Sequence, residues 1–323
     1  MRTLVTGAAG FIGSHLCRRL VADGHEVVGL DDLSDGKLEN LTDLPEVRFV
    51  EADLREQDAV QQAADGCSVI FHQGAMRSVP RSIAQPAETT DVNVRGTLNV
   101  LLAARDMPAN VVFASSSSVY GDQETFPLRE DMVSLLRSPY AASKLAGEAY
   151  CRSWWLSFGV PTVSLRYFNI YGPGQDPENE YAALVPRFVM ACMNGTAPEV
   201  HGDGEQSRDF TYIDDVIEAN LLAGLAPEQA RGRVMNVGGG REPTSVNRIL
   251  EIVARLIGVK PEPVHTPSRE GDVRKTEADV SLARRAIGYE PKIDIEEGLR
   301  RTVQWFRSVE AGRASAPTTR RPQ

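Results

Sequence analysis

The chain is short of several things that would place it elsewhere. It has no apolar run near the roughly 18 residues that a membrane-spanning helix needs, so no membrane segment is expected. Its opening residues, Met1-Arg2-Thr3-Leu4-Val5-Thr6, read as a strand and not as a secretory leader. Basic residues are the minority, 35 Lys and Arg against 44 Asp and Glu, for a formal net charge of −9. That balance argues against a nucleic-acid binder, which usually carries a basic face. An anionic small ligand remains possible, because local arginines can still meet phosphates. The four cysteines (Cys17, Cys67, Cys151 and Cys192) lie far apart without metal-type spacing. They are expected to be reduced and packed, in the cytoplasm. The five histidines form no ligand cluster, so no metal is expected, and no internal repeat is present.

What is there fits a globular chain, with 42% hydrophobic and 24% charged residues. A length of 323 residues allows one large or two modest domains. Short apolar runs at Thr3–Thr6, Glu26–Leu30, Val47–Val50, Ser68–His72, Val111–Ser115 and Thr162–Arg166 read as buried parallel strands. Helical patterns at Gly13–Ala22, Asp91–Arg105 and Tyr140–Phe158 lie between them. Alternation of this kind predicts an α/β fold, a Rossmann-like doubly wound parallel sheet. The pattern changes near Tyr167. We therefore expect a first domain over 1–166, with return segments near 210–237. A smaller mixed α/β lobe is expected over 167–209 and 238–310, with a disordered tail over 311–323.

The first strand leads directly into Thr6-Gly7-Ala8-Ala9-Gly10-Phe11-Ile12-Gly13, with glycines spaced three and three. In such a loop Gly7 permits the tight turn, Gly10 lets the backbone approach a pyrophosphate, and Gly13 lets helix and strand pack closely. The helix that follows points free N–H groups at the phosphates. Asp31 and Asp32 end the second strand. Acids there accept hydrogen bonds from ribose hydroxyls and repel a 2′-phosphate, which favours NAD over NADP. Asp53 and Leu54, after the third strand, offer an adenine contact.

Tyr140 and Lys144 stand four apart, on one face of a helix that Pro139 suits at its first turn. A phenol titrates near pH ~10, too high for a base at neutrality. An ammonium about 4 Å away supplies roughly the 4 kcal/mol that would lower it by about three pH units. On spacing alone the pair could equally be a solvated helix face.

Further motifs accompany these: His72-Gln73-Gly74-Ala75, Asn93, Ser115-Ser116-Ser117-Ser118-Val119-Tyr120-Gly121, Arg166-Tyr167-Phe168-Asn169, Gln206-Ser207-Arg208-Asp209-Phe210 and Arg269-Glu270-Gly271-Asp272. Together they resemble the extended short-chain dehydrogenase/reductase superfamily, and within it the nucleotide-sugar 4-epimerases, from Leu4 to about Phe306. The resemblance implies tightly held NAD, a UDP-sugar substrate and a homodimer built on Val94–Arg105 and Lys144–Phe158. It implies that Tyr140, as phenolate, takes the proton from the sugar 4-hydroxyl while C4 gives a hydride to NAD+. Lys144 would lower the Tyr140 pKa and hold the nicotinamide ribose, and Ser116 would orient the hydroxyl. Phe11, Ile12, Gln73, Gly74, Ala75, Asn93 and Tyr167 would join the cofactor contacts.

Toward the nucleotide sugar, the resemblance implies Asn169, Arg208 and Arg269 at the diphosphate and Asp272 at the uridine ribose. Val200 and His201 would hold the uracil, and Ser117, Val185 and Gln206 line the same site. Thr276 matches a position that gates sugar size, and its small side chain would admit an N-acetyl group. Arg77 and Arg81 leave open a C6 carboxylate, hence a UDP-glucuronate 4-epimerase, although Asn169 is typical of neutral-sugar enzymes. Related dehydratases and decarboxylases carry acids just after the catalytic Ser or Thr. Here Ser117 and Ser118 stand there, which favours epimerisation. Two other classes stay open: a catalytically silent NAD-binding scaffold and a net dehydrogenase.

Overall fold

Strands rich in Val, Ile and Leu have no polar face to offer solvent, so they need cover on both sides. The computed structural model of the chain provides it. The structure describes residues 1–177, 183–268 and 273–315. In chain order the strands are β1 (Arg2–Thr6), β2 (Glu26–Asp31), β3 (Arg48–Glu51), β4 (Val69–His72), β5 (Asn110–Ser116) and β6 (Thr162–Tyr167). After them come β7 (Ile170–Tyr171), β8 (Glu199–His201), β9 (Ser207–Arg208), β10 (Thr211–Tyr212), β11 (Arg233–Val237), β12 (Thr244–Ser245) and β13 (Val264–Thr266). The helices of the first half are α1 (Phe11–Ala22), α2 (Gln57–Ala64), α3 (Val79–Ala84), α4 (Pro86–Thr90), α5 (Gly96–Asp106) and α6 (Pro139–Phe158). Those of the second are α7 (Leu184–Asn194), α8 (Ile213–Gly224), α9 (Val246–Ile257), α10 (Ser281–Ile287) and α11 (Ile295–Ser315).

Among the described residues, seven strands form one parallel sheet in the order β11-β6-β5-β4-β1-β2-β3. Alternate side chains serve opposite faces. Leu4, Val28, Ile70 and Val111 pack with Val60 of α2, Leu101 of α5 and Cys151 of α6. Val5, Val27, Phe71 and Val112 pack with Leu16 of α1 and Val216 of α8 on the other side. This is the doubly wound fold expected. The chain reverses direction between β1 and β4, which opens a crevice at the strands' C-terminal ends.

The second face continues into α7, α9 and α11 through Phe188, Val253 and Val303, so the two expected lobes share one buried cluster. Three short strand pairs build the second lobe: β7 with β10, β9 with β12, and β8 with β13. The expected return segments are β10 with α8, and β11, which pairs with β6. Helix α11 runs past Ala311 to Ser315, and residues 316–323 lie outside the described residues.

One expected helix is built differently. Asp91–Arg95 forms a π-helical turn before α5. The wider turn carries Asn93 inward, where it accepts from Met76 N (2.7 Å) and donates to Met76 O (3.1 Å) and Ser143 Oγ (2.9 Å). Helix α6 is punctuated as the sequence suggested. Ser138 accepts from Ala141 N (3.1 Å), Pro139 opens the first turn, and Gly159 closes the helix at φ +71°.

Candidate active site

The loops after β1, β2, β3 and β4 line one cleft with Gly7–Gly13, Asp31–Lys37, Ala52–Arg55 and Gln73–Arg77. Gly7 turns at φ +66°, and a Cβ on it would lie 2.8 Å from Gly74. A Cβ on Gly13 would lie 1.9 Å from Gly7 O, so this glycine lets α1 meet β1. A Cβ on Gly10 meets only Gly7 O, at 3.2 Å. Gly10 therefore faces the cleft, as a backbone meant to approach a ligand would.

Asp31 is buried, and its carboxylate accepts from Ala9 N (2.9 Å) and Leu33 N (2.8 Å). Burial pushes its carboxyl above the ordinary range, against those two hydrogen bonds. Asp32 is exposed and accepts from Ser34 N (3.0 Å) and Oγ (2.6 Å). Both acids thus shape their loop as well as lining the cleft. Asp53 lines the floor with Leu54, and the Arg55 guanidinium holds its carboxyl below the usual range. Two ion pairs cross the mouth: Lys37 to Asp176 (2.7 Å) and Arg81 to Asp35 (3.1 Å).

Two of the expected cofactor contacts are held by hydrogen bonds within the fold. Tyr167 is buried. Its hydroxyl lies 2.9 Å from Asn220 Oδ1 and 3.1 Å from Gln73 Oε1, sharing its one proton between them, which steadies Gln73. The same holds for Asn93, whose amide is fully engaged with Met76 and Ser143. Gly74 and Ala75 line the cleft.

Ser116 closes β5 and its hydroxyl accepts from Ser118 N (3.1 Å). Ser117 opens the short turn after it. Tyr140 stands on the first turn of α6. Lys144 is buried one turn on, where its Nζ donates to Ala114 O (2.8 Å) and lies 5.9 Å from the Tyr140 ring centroid. Burial pushes the Tyr140 phenol up, against a hydrogen bond with Ser116 and the positive charge of Arg77. The Lys144 ammonium also lies over the Phe113 ring face. Burial pulls that ammonium down to about 8, while Glu148 pulls it up.

In the second lobe, Asn169 and Thr276 meet directly. Asn169 Nδ2 donates to Thr276 Oγ1 (3.1 Å) and Asp209 O (3.2 Å), and Asp209 N donates to Thr276 Oγ1 (3.2 Å). Asn169 takes φ +23° to do so. Gln206 Nε2 donates to His201 O (2.7 Å), and His201 Nδ1 lies 2.7 Å from Thr266 Oγ1. Arg208 donates to Ser207 O (2.9 Å). The side chains of Val185 and Val200 are core residues, because the inward faces of α7 and β8 carry them there. Arg269 and Asp272 lie outside the described residues. Among the described residues no cluster of three or more metal-ligating side chains occurs.

Two buried carboxylates were not singled out from the sequence. Asp209 accepts from Gly239 N (2.6 Å) and Ala278 N (3.0 Å). Glu148 pairs with Arg166 through two contacts of 2.8 and 2.7 Å. An acid one turn past Lys144 on the same helix face was the available signal for the second.

Comparison with known proteins agrees with this geometry. Residues 3–238 match the model of the NAD dependent epimerase/dehydratase family. A UDP-glucose 4-epimerase of Mycolicibacterium smegmatis is 41% identical over 314 residues, covering 95% of this chain and 99% of its own. A UDP-glucuronate 4-epimerase of Thermodesulfobacterium geofontis is 36% identical over 314 residues, covering 94% and 95%. The solved UDP-N-acetylglucosamine 4-epimerase of Methanobrevibacter ruminantium, in complex with UDP-N-acetylmuramic acid, superposes with a TM-score of 0.90. It is 37% identical, covering 95% of this chain and 98% of that one.

Proposed function

The chain belongs to the NAD dependent epimerase/dehydratase family, and from that premise we propose that it is a UDP-hexose 4-epimerase. The residues fit the dinucleotide. Gly10 opens backbone to the cleft, the first N–H groups of α1 have no partner within their helix, and Asp31 and Asp32 wait at the far end. Phe11, Ile12, Gly13, Asp53, Leu54, Gln73, Gly74 and Ala75 would hold it along the cleft. When bound, NAD supplies a reversible two-electron acceptor for the sugar C4.

The chain's own residues do the rest. Ser116 orients the sugar 4-hydroxyl. Tyr140 takes that hydroxyl's proton at its phenol oxygen and returns it in the second half of the reaction. Lys144 holds positive charge beneath Tyr140. Arg208 meets diphosphate oxygens, joined in our reading by Arg269, with Asp272, His201 and Gln206 toward the uridine. Ser117 and Ser118 bring no carboxylate, which supports epimerisation over elimination or decarboxylation.

The observation that carries the reading is the convergence of Ser116, Tyr140 and Lys144 beside Arg77, a residue that lines the glycine-loop cleft. We read the sugar as glucose, N-acetylglucosamine or both, since Thr276, held by Asn169, is small. A UDP-glucuronate substrate is the second reading, favoured by the charge of Arg77 reaching Tyr140. Arg81 is already committed to Asp35. The apolar faces of α5 and α6, with Leu156 and Phe158 exposed, support a homodimer, which sedimentation tests. Four free, buried cysteines support a reducing compartment, the cytoplasm.

Incubation with UDP-glucose, UDP-N-acetylglucosamine and UDP-glucuronate, with products separated by chromatography, tests the activity. We expect epimer formation without added NAD, and its loss in Tyr140→Phe. No product from any sugar, or net consumption of added NAD, would overturn the reading.

A further inference from the structure

The geometry points to Glu148 as a positioning residue of the active site: its carboxylate ties the C-terminal ends of β5 and β6 to the helix that carries Tyr140 and Lys144, and sets the charge beneath them. This rests on the catalytic reading above. Glu148 is buried one turn beyond Lys144 on α6. Its Oε1 accepts from Ser115 Oγ (2.5 Å) and Arg166 Nε (2.8 Å), and its Oε2 from Arg166 Nη2 (2.7 Å). Ser115 and Arg166 face each other in the β5–β6 register. The next residue of β5 is Ser116. One carboxylate therefore fixes the relative placement of the strand that presents Ser116 and the helix that presents Tyr140.

The Arg166 guanidinium lies over the Tyr120 ring, 4.6 Å from its centroid, and the Tyr120 hydroxyl donates to Asn236 Oδ1 (2.6 Å). The network so continues to β11. A pair this deep is seldom retained for stability alone, since apolar residues of similar volume can do as well. Its placement suits a second task.

The groups facing Lys144 are few. Tyr140, Glu148 and Cys151 lie on its own helix, and β5 offers Ala114 O and the Phe113 ring. His72 on β4 feels its charge, and Arg166 on β6 is bound to Glu148. Burial pushes the Cys151 thiol up to about 12 and pulls His72 down to about 3, so both are neutral near pH 7. Glu148 is the acid left to keep Lys144 cationic in the core.

The test compares wild type with Glu148→Gln and with Glu148→Gln/Arg166→Met, which removes both charges and keeps the fold if the single variant cannot. Melting temperature, bound NAD, and kcat and KM against pH are recorded. We expect the double variant to recover most of the melting temperature, with KM within about threefold of wild type and kcat near pH 7.5 about tenfold down. The alkaline limb of kcat should move at least half a pH unit lower, because Lys144 loses its proton sooner. Phenolate absorbance, as the difference between each form and its Tyr140→Phe counterpart, follows the Tyr140 titration without any sugar. It should shift between wild type and the double variant. If no UDP-sugar turns over in wild type, the catalytic reading fails while this titration still tests Glu148. A double variant whose kcat profile and phenolate titration superpose on wild type would overturn the proposal and leave Glu148 a purely structural group.

Discussion

Asp209→Asn separates the cost of a buried charge from the value of its hydrogen bonds. Asp209 is 3% exposed, and its carboxylate gathers Gly239 N and Ala278 N, residues far away along the chain. Burial pushes its carboxyl up from 3.8 to about 6, against those two bonds, and Glu277 adds to the push. An acid raised in the folded state contributes stability that is full below the unfolded value and is lost as pH rises through the folded one. The whole span amounts to about 3 kcal/mol at 1.36 kcal/mol per pH unit. Between pH 4.5 and 7.5 about 2 kcal/mol of it is lost. With about 2.1 cal/mol/K of unfolding entropy per residue, that is about 3 °C for a chain of this length. Asparagine does not titrate. It leaves one N–H facing its own amide, a fixed cost of about 1–3 kcal/mol at any pH. The melting temperature of the variant minus that of wild type should therefore rise by about 3 °C from pH 4.5 to pH 7.5, whatever its offset. Scanning calorimetry at the two pH values reads it. A difference that stays constant, or falls, would refute the reasoning and mean that the two N–H bonds outweigh burial.

Other perturbations probe the cofactor cleft. Gly10→Ala adds a methyl where only Gly7 O is near, so the protein should fold, with bound NAD in the purified protein cut at least about tenfold by steric exclusion. Gly13→Ala drives a methyl to 1.9 Å from Gly7 O and should lower stability by about 1–3 kcal/mol or more, read in urea unfolding. Removing the mouth pair with Lys37→Ala or Asp176→Ala should speed NAD release about two- to fivefold, as an exposed pair is worth about 1 kcal/mol or less. That gain should shrink in high salt, which stopped-flow displacement would show.

The sheet was legible because buried parallel strands are written as short continuous apolar runs, and each expected strand lies within a residue or two of its observed bounds. The glycine loop was legible because each glycine answers a local demand of turn or close approach. The Tyr140–Lys144 spacing gave the helix face, but spacing says nothing of how deeply a phenol is buried, nor that a lysine finds a backbone carbonyl. The hydrogen-bonded settings of Tyr167 and Asn93 were hidden for a related reason. Which way a side chain turns depends on the pleat at a strand end, or on one extra residue in a helical turn. Glu148 with Arg166, and Asp209 with Gly239 and Ala278, pair across distant segments that only the fold brings together.

The order of strands in the sheet has a consequence for how the chain is made. Strand β11 covers the outer edge of β6, yet it follows β6 by about 65 residues in the chain. At roughly 5–20 residues per second on the ribosome, the edge waits about 3–13 s for its partner. During that interval β6 presents unpaired N–H and C=O groups of the kind that recruit other strands. Much of the second lobe emerges before the sheet is complete, and a chain cut short before Arg233 would keep that edge open for good.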